Sequence, residues 1–136
     1  MTIDRTTALR AGTAALENGD ALTARRYFES ILGAGVGDAQ TSILLAIACQ
    51  KLGDMPALHR AIDQALAFDP RNLHALLMKG DRLAATGNAR AAAQFYGAAV
   101  TLASQVQNLP PVLVDYVRRA AESRDRIHAH IEQHLR

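Results

Sequence analysis

The chain contains few aromatic residues, little cysteine and no long hydrophobic run. Aromatic residues make up 4% of its 136 residues, and tryptophan is absent. A lone cysteine, Cys49, excludes an internal disulfide, so nothing indicates an oxidising compartment. No segment approaches the roughly 20 apolar residues of a membrane span, and the first residues lack the apolar core of a secretory signal. We therefore expect a cytoplasmic protein with no membrane partner.

The chain also lacks a strong excess of either charge. Its 15 basic and 13 acidic residues give a formal net charge of +2 and are spread along its whole length. Nucleic-acid-binding proteins normally concentrate basic residues in one patch. The even distribution predicts that nucleic acid is not a partner.

Alanine and leucine dominate the hydrophobic residues, which form 49% of the sequence. These two residues are among the best helix formers, because they lose little side-chain entropy in a helix. The composition therefore predicts an all-α protein. Helices are expected near residues 4–17, 20–32, 39–51, 54–68, 73–86, 88–106 and 111–135.

A period of 34 residues organises the chain. A glycine followed by a capping residue recurs three times at this interval, as Gly19-Asp20, Gly53-Asp54 and Gly87-Asn88. Glycine closes one helix in the left-handed conformation, and Asp or Asn then accepts from the first amides of the next helix. Two further columns pair a small residue with a large one, and these pairs are Gly12 with Phe28, Ala46 with Ile62, and Gly80 with Tyr96. This pattern predicts helix pairs that cross closely at the small residue.

The three copies, 5–38, 39–72 and 73–106, resemble the tetratricopeptide repeat family. In the first copy, the residues that match its pattern are Ala11-Gly12, Ala24 and Phe28. In the second copy they are Leu45-Ala46, Ala65 and Asp69-Pro70, and in the third they are Lys79-Gly80, Leu83, Ala92, Tyr96 and Ala99. The leading aromatic of the pattern is replaced by Ala8, Ser42 and Leu76. The resemblance implies one domain, 1–136, with three helix-turn-helix repeats in a right-handed superhelix and a C-terminal capping helix at about 111–135. On that last helix, the apolar stripe is expected to include Val112, Val114 (or Leu113), Val117, Ala120, Ile127, Ile131 and Leu135.

A second resemblance involves Leu73–Asp81, Phe95-Tyr96 and Leu109-Pro110-Pro111. These segments are similar to the repeat region that precedes the catalytic domain in bacterial aspartyl/asparaginyl β-hydroxylase-like proteins. That similarity implies an accessory or dimerisation domain of a larger 2-oxoglutarate-dependent oxygenase. Nothing in this chain resembles the catalytic domain itself.

In tetratricopeptide arrays, the first helix of each repeat lines a concave groove. The resemblance places Leu9, Thr13, Gln40, Ile43, Ile47, His74, Leu77 and Asp81 on this groove, with Arg10, Gln50 and Lys51 at its rim. The Lys and Asn residues by which some family members hold a peptide carboxylate are absent from these positions. An apolar groove usually marks an interaction site, although the protein's own helix or a second copy could also cover it.

No residue pattern predicts a catalytic centre, a metal site or a cofactor. Cys49 lacks a neighbouring base and is expected to be a small buried hydrophobe. His130 and His134 lie one helical turn apart, but a metal site needs further ligands, so they are expected to be solvated. The sequence thus predicts a non-enzymatic scaffold that binds a protein or peptide, with the oxygenase accessory domain and a self-assembling homodimer as alternatives.

Overall fold

A computed structural model describes residues 4–135 of the chain. These residues form seven α-helices and no strands, which confirms the all-α prediction. The helices are α1 (Arg5–Glu17), α2 (Ala21–Gly33), α3 (Ala39–Leu52), α4 (Met55–Phe68), α5 (Leu73–Ala85), α6 (Ala89–Ala103) and α7 (Pro111–His134). The main departure from the predicted bounds is α6, which ends at Ala103 and not at 106.

The three predicted Gly–Asp and Gly–Asn turns have the expected geometry. Gly19, Gly53 and Gly87 have φ angles of 81°, 73° and 86°, in the left-handed region that glycine adopts without a steric penalty. The next residue caps the following helix in each case: the side chains of Asp20, Asp54 and Asn88 accept from the amides of Thr23, Ala57 and Ala91. Local capping chemistry therefore fixes where three of the helices begin.

The chain divides into two compact units, one ending at Pro70 and the other beginning at Arg71. In the first unit, α1 packs on α2, α2 on α3, and α3 on α4. Two ion pairs join its helices: Arg5 Nη2 lies 2.7 Å from Asp38 Oδ2, and Arg25 Nη1 lies 2.9 Å from Asp54 Oδ2. Asp38 and Asp54 are also the N-caps of α3 and α4, so each carboxylate positions a helix start and binds a neighbouring helix.

In the second unit, α5 packs on α6, and α7 lies against both. The stripe by which α7 makes this contact is only partly the predicted one. Ala120 is buried, and Leu113, Val117, Ile127 and Ile131 are half-buried, as expected. Val112 and Leu135 are 77% and 75% exposed, so the prediction was wrong for these two; Val114 is 52% exposed, and its predicted alternative, Leu113, makes the contact. Leu113 takes the place of its two neighbours because only one residue of three successive ones can face the same side of a helix.

Close helix crossing occurs where the small and large residues were predicted to meet. A Cβ atom built on Gly12 would lie 2.7 Å from Phe28 Cε1, and one built on Gly80 would lie 2.5 Å from Tyr96 Cε1. Both aromatic side chains are buried, as are Ala46 and Ile62 at the same positions of the second copy. The rings therefore lie directly on the glycine backbone, which explains why glycine stands within these two helices.

This packing predicts opposite effects for two glycine-to-alanine changes in the second unit. Gly80→Ala should lower the free energy of unfolding by about 1–3 kcal/mol, because the added methyl overlaps the Tyr96 ring. That ring cannot move aside easily, since its hydroxyl is bonded to Asp81 and its other end is attached to the backbone of α6. Gly97→Ala is the matched control, since its Cβ would meet only Arg124 Cδ at 3.7 Å, an ordinary contact. It should raise the stability by about 0.5–1 kcal/mol through helix propensity alone. Urea unfolding followed by circular dichroism measures both, and equal effects of the two variants would contradict the close-crossing account.

Candidate functional site

In the first unit, the predicted groove residues on α1 and α3 differ in how much surface they expose. Gln40 is exposed, and Leu9, Thr13 and Ile47 are half-buried. Ile43 is 5% exposed and belongs to the hydrophobic core. The Thr13 hydroxyl donates to the carbonyl of Leu9 at 2.8 Å, so it is already used within its own helix. Leu9, Thr13, Gln40 and Ile47 are called the α1–α3 surface below.

In the second unit, the predicted groove residues on α5 are engaged by other side chains of the protein. Leu77 is fully buried. Asp81 accepts a hydrogen bond from the Tyr96 hydroxyl at 2.7 Å and another from the Tyr116 hydroxyl of α7. The ring of Tyr116 also meets the ring of His74 edge to face, with 6.0 Å between centroids. Here α7 contacts α5 at His74, which is half-buried, and at Asp81, which stays exposed.

Burial and hydrogen bonding together determine the electrostatics of this cluster. Desolvation raises the pKa of the Tyr96 and Tyr116 hydroxyls well above the usual range, and donation to Asp81 raises both further. Both tyrosines therefore stay protonated and serve as hydrogen-bond donors. The Arg119 guanidinium lies 5.1 Å from the centroid of the Tyr116 ring, within reach of a cation–π contact. The arrangement fastens α7 to the hairpin of α5 and α6.

A cavity of about 460 Å³ in the first unit is lined by Cys49 and by charged side chains of α2 and α4. Two arginines line it, Arg25 and Arg60, and Arg25 is paired with both Glu29 and Asp54. Burial raises the pKa of the Cys49 thiol, which is 1% exposed, so the nucleophilic thiolate is disfavoured. The predicted burial of Cys49 is confirmed, and its surroundings do not activate it.

The histidines near the end of α7 form a local pair. The rings of His130 and His134 lie 4.2 Å apart, and His134 Nδ1 is 2.9 Å from the carbonyl oxygen of His130. Within residues 4–135, no three or more His, Cys, Asp or Glu side chains converge as metal ligands would. Over the same range, no helix combines the length and apolar character that crossing a bilayer requires.

The functional residue that the sequence did not reveal is Tyr116. It lies three residues after Leu113 and four before Ala120, so helical spacing places it on the face that packs against α5 and α6. A second signal was Asp81 itself, which is an acid in a column otherwise occupied by Thr13 and Ile47. The donors to this exposed acid are the hydroxyls of Tyr96 and Tyr116.

No protein-family model and no curated protein matches this chain. The two resemblances described above therefore depend on the quoted residues alone.

The hydrogen bond from Tyr116 predicts a measurable loss on its removal. Tyr116→Phe keeps the ring against His74 and Arg119 but deletes the hydroxyl, and it should lower the free energy of unfolding by about 1 kcal/mol. Tyr27→Phe is the matched control, because Tyr27 is 39% exposed and should change stability by less than about 0.5 kcal/mol. Urea unfolding gives both values, and amide hydrogen exchange should be faster in α7 of Tyr116→Phe only. Unchanged exchange in α7 would contradict the role assigned to this bond.

The partial burial of His74 predicts a pH dependence of stability. Desolvation lowers its pKa below the ordinary 6.5, so the folded state favours the neutral ring. The unfolded chain then binds more protons in the interval just below pH 6.5, and stability rises with pH across that interval. The contribution is complete above pH 6.5 and is lost as the pH falls towards the folded pKa. His74→Phe should flatten the stability profile between pH 6.5 and pH 5, and an unaltered slope would show that His74 does not cause it.

Proposed function

We propose that the chain is a non-enzymatic interaction module whose α1–α3 surface binds a protein or peptide. The observation that supports this proposal most is the contrast between the two units. Ile43 on α3 and Leu77 on α5 are both buried. Leu9, Gln40 and Ile47 on α1 and α3 nevertheless retain exposed side-chain area that no hydrogen bond among residues 4–135 uses. On α5, Asp81 is exposed but already accepts hydrogen bonds from Tyr96 and Tyr116. Binding is therefore assigned to the first unit.

The chemistry of the α1–α3 surface indicates the kind of partner. Leu9 and Ile47 present apolar area, and the amide of Gln40 offers both a donor and an acceptor to a peptide backbone. Arg10 on α1 and Lys51 on α3 are exposed, and each lies one helical turn from Thr13 or Ile47. An extended peptide with apolar side chains and a flanking acidic residue suits this combination of groups.

Peptides selected from a random library against the intact chain test the proposal. Leu9→Asp and Ile47→Asp should each weaken the selected peptide at least about tenfold by isothermal titration calorimetry, because buried apolar anchors carry most interface energy. Lys51→Glu should weaken peptides with an acidic flank and leave neutral peptides unchanged. Circular dichroism checks that each variant remains helical.

Leu22→Asp is the matched control. Leu22 lies on α2, is 49% exposed and is not part of the α1–α3 surface, so this change should leave the affinity unaltered. Equal losses for Leu22→Asp and Leu9→Asp, or binding that survives both Leu9→Asp and Ile47→Asp, would refute the assignment. Sedimentation across a concentration series distinguishes a peptide-binding monomer from a homodimer that covers the same surface.

A further inference from the structure

A second cavity lies in the second unit, between the hairpin of α5 and α6 and the C-terminal half of α7. It has a volume of about 310 Å³ and is called the C-terminal cleft here. Its walls include Ala84, Ala89 and Tyr96 on one side and Ile127 and Ile131 on the other. The cleft belongs to the second unit alone and shares no residue with the α1–α3 surface.

The walls of the cleft are mainly apolar. Ile127 and Ile131 lie one helical turn apart on α7 and are half-buried. Ala84 and Ala89 are too short to fill the space opposite them. Tyr96 is buried and its hydroxyl donates to Asp81, so the small part of this side chain that borders the cleft is an edge of its ring. A ligand that fills the cleft therefore needs an unbranched or compact apolar part.

Charge at the edge of the cleft is positive. Arg126 is among its lining residues, and no carboxylate is. The other α7 arginines, Arg118, Arg119 and Arg124, are bonded to the carboxylates of Asp115, Glu122 or Asp125. Within the described residues, Arg126 has as its partner the Ser123 hydroxyl, at 3.1 Å, and no carboxylate. Its charge is available to an anionic ligand group.

The neighbouring polar cavity defines the direction from which an anion would approach. That cavity also contains Ser123 and Arg126, but Asp81 and Glu122 line it as well. In that cavity Asp81 and Glu122 offset the charges of Arg119 and Arg126, whereas the C-terminal cleft presents Arg126 beside apolar walls and without a carboxylate. In the C-terminal cleft, a ligand can therefore place its apolar part against the apolar walls and its anionic group on Arg126.

We infer that the C-terminal cleft binds a small straight-chain monocarboxylate, with its alkyl chain between Tyr96 and the two isoleucines and its carboxylate on Arg126. The cleft is open to solvent, and at about 30 Å³ per non-hydrogen atom, the volume of a water molecule in the liquid, its volume corresponds to about ten such atoms. Octanoate has that number. The cleft lies at the small end of the usual range of ligand sites, about 300–1,000 Å³, which favours one short chain over a larger lipid.

Titration of the intact chain at pH 7.5 with octanoate, hexanoate and octan-1-ol tests this inference. Octanoate should bind about tenfold more tightly than octan-1-ol, since the alcohol lacks the charge that pairs with Arg126. Octanoate should also bind at least about tenfold more tightly than hexanoate, because it has two more methylene groups and each buried methylene strengthens binding about fourfold. In NMR spectra, the amides of Ile127 and Ile131 should shift on titration.

Three variants locate the site. Arg126→Gln should lower octanoate affinity to that of octan-1-ol and leave the alcohol unchanged, whereas Arg118→Gln, on the same helix but outside the cleft, should alter neither. Ala89→Leu, at an exposed helix start, should fill the cleft and abolish binding of both ligands. Equal affinities for octanoate and octan-1-ol, or octanoate binding unaffected by Arg126→Gln, would overturn the inference. So would tight binding of an acetylated dipeptide ending in leucine together with no binding of octanoate, since the site would then recognise a peptide terminus.

Discussion

The contact between an aromatic ring and a glycine backbone is the interaction on which two of the helix pairs, α1 with α2 and α5 with α6, depend. Because Gly12 and Gly80 lack a Cβ atom, Phe28 and Tyr96 lie against the backbone of the partner helix. A ring in that position fixes both the separation and the register of two antiparallel helices, since no other side chain can occupy the same space. This explains how a chain with so few aromatic residues still packs an ordered core: two of them stand where the helices cross.

In the second unit, the same contact determines the position of a third helix. Tyr96 differs from Phe28 by a hydroxyl, and that hydroxyl donates to Asp81, to which Tyr116 of α7 also donates. The crossing of α5 and α6 is thereby linked to the placement of α7 through a single carboxylate. The position of α7 in turn decides where Ile127 and Ile131 stand, and hence how wide the C-terminal cleft is.

The features that could be predicted from the sequence are those that depend on neighbouring residues. Helix starts at Ala21, Met55 and Ala89 follow from the preceding Asp or Asn, and the turns before them follow from glycine. The choice of Leu113 over Val114 on α7 depends on packing against distant helices, and helical spacing alone fits either residue. The bond between Asp81 and Tyr116 joins residues 35 positions apart, and no local pattern reveals which donor an acid will find. The 34-residue period predicts which residues of α1, α3 and α5 share a helix face. It does not predict that Ile43 and Leu77 are buried, because their burial depends on which other helices pack over that face.

The helix α7 gives the second unit chemistry that the first unit lacks. At the position that Thr13 and Ile47 occupy on α1 and α3, α5 carries an exposed acid, Asp81, that accepts from Tyr96 and from Tyr116 of α7. The same helix also borders a cavity, because its isoleucines lie opposite the short side chains of Ala84 and Ala89. These differences are the reason why we propose an extended partner for the first unit and a small molecule for the second. The helix α7, more than the repeat itself, makes the two units chemically different.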